Sequence, residues 1–188
     1  MQIRYFDNSA TTPIKEEVLQ AMFPYLSVQY GNPSSIYSIG RNAKRAIEES
    51  RKKVASLINC KPEEIYYTSC GSESDNTALK GIANLRKNKG KHIITSKIEH
   101  PAILNTCKSL ENQGFEITYI DVDKGGIINL ESLKNSIRKD TILISIMFAN
   151  NEIGTIQPIK EIVDIAHKNN IMFHSDAVQA VRKYTNRC

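Results

Sequence analysis

Short apolar runs alternate along this chain with longer stretches whose apolar residues recur every three to four positions. Residues 65–68 (IYYT), 92–95 (HIIT), 116–120 (EITYI), 142–148 (ILISIMF) and 171–174 (IMFH) read as strands. Segment 142–148 is apolar throughout, the pattern of a strand covered on both faces. Between the strands lie helical patterns. Ala43, Ile47, Val54, Leu57 and Ile58 share one face of a helix across roughly 41–58. Ile103, Cys107 and Leu110 do the same ahead of Gly114, a C-terminal stop. Leu130, Leu133 and Ile137 follow Asn129, a good N-cap. Ile159, Ile162, Val163 and Ala166 follow Pro158, suited to a first helical turn.

This alternation predicts an α/β fold with a mostly parallel sheet flanked by helices. Residues 1–35 show less rhythm and more turn residues, as in Asn8-Ser9-Ala10-Thr11-Thr12-Pro13. They read as a segment that wraps the core or contacts a partner. Residues 36–181 then carry the sheet, and 182–188 read as a charged tail.

Composition narrows the class. A chain of 188 residues with 40% apolar and 24% charged residues is globular and can bury a sizeable core. The net charge of +5 is spread through mixed runs such as Glu48-Glu49-Ser50-Arg51-Lys52-Lys53, so no direct nucleic-acid surface is expected. No apolar run reaches membrane-span length, so no membrane association is expected. The four cysteines, Cys60, Cys70, Cys107 and Cys188, fit neither a zinc pair nor a disulfide framework. A reducing, cytoplasmic setting follows. Cys60 and Cys107 fall on apolar helical positions and read as core.

Ligands in such sheets sit beyond the carboxyl ends of the strands, and the chain places polar residues there. In "YTSCGSESDN", a strand meets a helix through Gly71, and Ser72 with Asp75 resembles a capping box. Backbone N–H groups at such a start suit a phosphate dianion, and a capped helix with no ligand is the other reading. In "SKIEHPAIL", His100 precedes a helix opened by Pro101; its imidazole suits ring stacking, proton transfer or simple capping. In "FANNEIG", Asn151 offers an amide to a ligand oxygen or serves a turn. Asp176 follows strand 171–174, and a carboxylate at depth there needs a cationic partner. Gln179 lies three residues on. The pair His174-x-Asp176 lacks any further ligand motif, so no metal site is assigned. Neither a P-loop nor a dinucleotide fingerprint occurs.

Taken together, "YFDNSATTP", "GNPSS", Tyr67-Thr68-Ser69, "ESDN", "HIITSKIEHPAIL", "ISIMFANNEIGTIQPI" and "HSDAVQAV" closely resemble the NifS/IscS-type cysteine desulfurases. These are class V aminotransferase-group enzymes of pyridoxal-phosphate (PLP) fold type I. The resemblance runs to Val181 and implies a large-domain fold cut short on its C-terminal side. It implies pyridoxal 5'-phosphate as cofactor and L-cysteine as substrate. Iron–sulfur scaffolds or other sulfur acceptors are the implied partners, and a homodimer the implied assembly. By position, Gly71 and Ser72 match the phosphate turn, where the family often has threonine at the second place. His100 matches the ring-stacking, proton-transferring histidine. Asn151 and Gln179 match the partners of the ring's 3-oxygen, and Asp176 the partner of the ring nitrogen.

The family's Schiff-base lysine motif and its persulfide cysteine find no match up to residue 188. Lys183 lacks the motif's surroundings, and none of the four cysteines stands at the persulfide position. Three explanations are open: a truncated or incomplete sequence, one half of a split enzyme, or a noncatalytic interaction remnant. Another class V enzyme, such as a selenocysteine lyase, is the alternative activity. In each case the chain alone is expected to be inactive and to expose apolar surface.

Overall fold

The computed structural model describes residues 3–181. These divide after Tyr67 into two compact units.

The second unit contains the sheet. Its elements run α3 (Gly71–Arg86), β1 (His92–Ser96), α4 (Pro101–Glu111), β2 (Glu116–Ile120), α5 (Leu130–Asn135), β3 (Thr141–Ser145), α6 (Ile159–Lys168) and β4 (Met172–His174). The four strands are all parallel, in the order β2-β1-β3-β4. The strand alternation sorts the core into two layers. Ile93 and Leu143 pack with Leu79 and Ala83 of α3 and with Ile103, Cys107 and Leu110 of α4. Ile94 and Ile144 pack with Leu133 of α5 and with Ile162 and Ala166 of α6. The sheet is therefore covered on both faces, as segment 142–148 foretold. β3 itself ends at Ser145, although Ile146 and Met147 remain buried.

The helix boundaries follow local chemistry. Asn129 caps α5 by accepting from the Ser132 N–H at 2.9 Å. Gly114, at φ 84°, closes the turn after α4 in the left-handed region that favours glycine. Pro101 opens α4, and the Nδ1 of His100 accepts the Ala102 N–H at 3.1 Å.

The first unit holds α1 (Glu16–Ser27), α2 (Ser38–Ile58) and a 3₁₀ turn at Pro62–Glu64. Four expectations need correction here. Residues 1–35 are less irregular than they read, because a 12-residue helix crosses them with Pro24 inside it. No residue of that helix is buried, so its pattern has no core to report on. Second, residues 65–68 form no strand. A strand requires a neighbour to pair with, and this segment is not among the paired strands of the described residues. It is instead tied to α2: the Arg51 Nη1 donates to the Ile65 carbonyl, and the guanidinium stacks over Tyr67 at 5.1 Å. Third, Cys60 lies just past the left-handed cap Asn59, half-buried in a loop, and is not a helical core residue. The predicted face of α2 is likewise mostly open. Only Gly40, Ala43 and Ala55 are buried, while Ile47, Val54 and Leu57 face solvent.

Candidate cofactor site

Because β1, β3 and β4 are parallel, their carboxyl ends lie at one edge of the sheet, with Ser96, Ser145 and His174 last in each. The loops leaving these ends are stitched together. Both carboxyl oxygens of Glu99 meet the Met147 N–H, at 2.9 and 3.1 Å, and one also meets the Ser96 hydroxyl at 2.6 Å. The Asn150 amide donates to the Ile98 carbonyl at 2.9 Å. The Phe148 N–H donates to the Asp176 carbonyl at 2.8 Å.

The start of α3 joins this edge. A Cβ placed on Gly71 would lie 3.1 Å from Val178, so glycine allows the helix start to approach the turn after β4. The expected capping box is not formed. The N-cap is Cys70, whose thiol rather than a side-chain oxygen faces the Glu73 N–H, and Asp75 is buried rather than capping. It is Glu73 that reaches back, accepting from the Ser69 N–H and hydroxyl at 2.6 Å each. Those two bonds hold its carboxyl below the usual range. Ser72 is exposed on the first turn.

Asp176 is half-buried. Its Oδ1 accepts the Val178 N–H at 3.0 Å, forming an Asx turn. The Val178 N–H is the donor this turn supplies to the carboxylate. His100 is exposed and caps α4 through Nδ1, which leaves Nε2 as the nitrogen that carries the proton. Asn151 is half-buried in the turn after β3, and the turn itself is shaped by its neighbour. Asn150 Oδ1 accepts from the Glu152 and Ile153 N–H groups at 2.9 and 3.1 Å. Gln179 is half-buried in the turn after Asp176.

Three ionisable groups with shifted proton affinity stand here in roles the sequence reading did not give them. Burial raises Asp75 to about 6, with the nearby Asp176 charge adding to the rise and His100 opposing it. Burial likewise raises Glu99 to about 7 against its own hydrogen bonds. Burial lowers His174 to about 4, so its imidazole is neutral at pH 7. One signal was available for Asp75: it shares the four-residue spacing of Gly71, Leu79 and Ala83, and so the inward stripe of α3. Glu99 and His174 carried no comparable mark. Cys70 is exposed, and the Glu73 N–H with the Ser69 hydroxyl holds its thiol below the usual range.

Comparison with known proteins settles the kinship of this arrangement. The family model for "Aminotransferase class-V" matches residues 4–186. The chain belongs to the class V aminotransferase family. Among curated class V relatives, "Cysteine desulfurase IscS" of Methanosarcina thermophila is 62% identical over 177 residues, covering 94% of this chain and 44% of that protein. The protein of the same name from Dictyoglomus turgidum is 56% identical, covering 94% and 45%. A solved "NifS-like protein" superposes with a TM-score of 0.91 at 43% identity, covering 94% of this chain and 49% of that one. "SspA in complex with cysteine" superposes at 0.95 with 40% identity, covering 98% and 53%. The chain thus spans less than half the length of these curated relatives and about half that of the solved structures. The sheet and helices are those of the large domain of PLP fold type I cysteine desulfurases.

Proposed function

We propose that this chain forms part of a pyridoxal-phosphate-dependent cysteine desulfurase. The observation that carries the reading is the meeting of two features. The start of α3 has no side-chain oxygen as its cap, only the weakly accepting Cys70 thiol, and Gly71 brings it against the turn that bears Asp176. An anion-binding helix start beside a carboxylate fits a ligand with a phosphate at one end and a basic ring nitrogen at the other. The relatives named as cysteine desulfurases, and the neighbour solved with cysteine, support the choice of L-cysteine as substrate.

In this reading the first-turn N–H groups at Gly71 and Ser72, with the Ser72 hydroxyl, hold the phosphate. Asp176 keeps the ring nitrogen protonated, and Asn151 and Gln179 hold the ring's oxygen. His100 would stack on the ring and could offer its Nε2 proton, since Nδ1 is engaged with Ala102. Pyridoxal phosphate, when bound, supplies an electron sink that weakens bonds at the α-carbon of an amino acid. The full reaction turns L-cysteine into L-alanine and transfers its sulfur to a cysteine thiolate, which becomes a persulfide that passes the sulfur on to acceptors such as iron–sulfur scaffolds. The Schiff-base lysine and the persulfide cysteine belong to residues outside these 188, and the working unit is a homodimer in the cytoplasm. No helix among the described residues is long and apolar enough to cross a membrane.

Titrating the 188-residue chain with pyridoxal phosphate tests this. Saturable binding is expected, weakened about tenfold or more by Asp176→Asn, with no alanine released from L-cysteine. Absence of saturable binding would sink the reading. A borohydride-fixed adduct at Lys183 would overturn the assignment of the lysine to residues outside this chain; Lys183 and the expected tail 182–188 lie outside the described residues.

A further inference from the structure

Asp75 and His174 meet across two elements that the proposed site must keep in register. Asp75 lies on α3, one helical turn past Gly71, and is 5% exposed. His174 ends β4, two positions before Asp176. The Nε2 of His174 lies 3.7 Å from the Asp75 Oδ1, and its Nδ1 lies 2.9 Å from the hydroxyl of Ser145, a fully buried residue of β3. We propose that the Asp75–His174 contact is a positioning pair that locks the start of α3 to the Asp176 turn. It thereby fixes the span between the phosphate-binding and ring-nitrogen-binding ends of the site. This rests on the cofactor reading above.

The imidazole has little freedom to leave. Ser145 anchors Nδ1 from a parallel strand, and Nε2 faces a carboxylate. With an acceptor at Nε2, the ring proton sits there, and the Ser145 hydroxyl donates to Nδ1. At 3.7 Å the approach to Asp75 is longer than a hydrogen bond. It acts as the attraction of a carboxylate for a neutral, oriented N–H dipole, only partly screened because Asp75 is buried and His174 is mostly so. The neutrality of His174 agrees with its lowered affinity for a proton in this setting. A second approach runs alongside, where Gly71 comes against Val178. Together the two contacts tie the first turn of α3 to residues flanking Asp176 on both sides. Neither Asp75 nor His174 is assigned to touch the cofactor, so both are positioning residues.

The distinguishing test compares ligands that span the site with ligands that do not. Pyridoxamine 5'-phosphate has phosphate and ring but no aldehyde, so its binding needs no lysine. Inorganic phosphate probes one end, and pyridoxamine the other. Asp75→Asn and His174→Ala are expected to weaken pyridoxamine 5'-phosphate about tenfold. Each should change the affinity for either half by less than about twofold, with His174→Gln recovering part of the loss through its amide N–H. Unchanged affinity for the whole ligand, or a parallel loss for all three, overturns the pair as a positioning device. Hydrogen exchange supplies a ligand-independent readout. In Asp75→Asn, the amides of Ser74 and Val178 should exchange faster together, while that of Leu133 in α5 does not. Exchange unaltered at Ser74 and Val178 refutes the locking. If the wild-type chain binds none of the three ligands, the cofactor reading fails, and exchange alone decides whether the pair locks these elements.

Discussion

The two units of this chain are built from similar helical patterns but reach different ends. In residues 68–181, helices and strands close two apolar layers, and Leu79, Ile93, Ile144 and Ile162 lose all contact with solvent. In residues 3–67, α1 buries no residue, and the buried positions of α2 are the small Gly40, Ala43 and Ala55. Phe6, Phe23, Leu26, Tyr30 and Ile36 stay exposed. Tyr25, Tyr30, Ala43, Ile47 and Tyr67 border a hollow of about 570 Å³. Apolar periodicity therefore forms a helix in either unit, but only a second apolar layer turns the helix into core.

The contrast can be broken most directly by truncating one large apolar side chain in each unit. Leu79→Ala leaves a cavity in a closed layer and is expected to cost about 2–5 kcal/mol of stability. Phe23→Ala removes a larger side chain that is 60% exposed, and should cost less than about 0.5 kcal/mol. Denaturant unfolding of both variants reads the difference, and equal losses would dissolve the distinction between the units.

A second probe sharpens the account of the packed unit. Glu99 is held protonated by burial up to about pH 7 in the folded chain, whereas in the unfolded chain it ionises at ordinary carboxylate pH. Between those values the folded state carries the extra proton, so this group's contribution to stability falls as pH rises toward 7. His174 works the other way: its folded affinity is depressed to about pH 4, so its contribution is lost on acidification below about 6.5. Glu99→Gln keeps an acceptor for the Met147 N–H and removes the ionisation. Relative to wild type, its stability should climb by on the order of 2 kcal/mol between pH 5 and 7. A constant difference across that range would contradict the burial of an ionisable Glu99.

The smallest expected effect concerns the thiols. Cys70, exposed with a lowered thiol pKa, should be alkylated by iodoacetamide in the folded chain. Cys107, fully buried and pushed up to about 12 by desolvation, should react only after unfolding. Peptide mapping after brief labelling checks this. Equal labelling would place Cys107 outside the closed layer.

Much of the packed unit was legible because its signals are local. The stripe Ile103–Cys107–Leu110, the N-cap Asn129 and the stop at Gly114 each act within one or two turns, and all appear as read. The candidate residues Gly71, His100, Asn151, Asp176 and Gln179 stand at helix starts or in the turns after strands. Their proposed roles came from resemblance to a family, and no spacing within the chain reveals them. Residues 65–68 misled because β-branched and aromatic composition describes a pleated surface without supplying the neighbour to pair with. Asp75 misled because a three-residue offset from Ser72 suggests a cap. The geometry of α3 instead turns it inward with Leu79 and Ala83.

The amino-acid sequence by itself determined the helices of the packed unit, their alternation with parallel strands and the family, since these rest on periodicity, capping chemistry and shared motifs. Tertiary structure alone decided which apolar faces found a partner. It decided that Glu99 would clamp the Met147 backbone and that Asp75 would meet His174. Those outcomes join residues 48 and 99 positions apart, and whether a carboxylate is solvated or buried depends on what the rest of the chain packs against it.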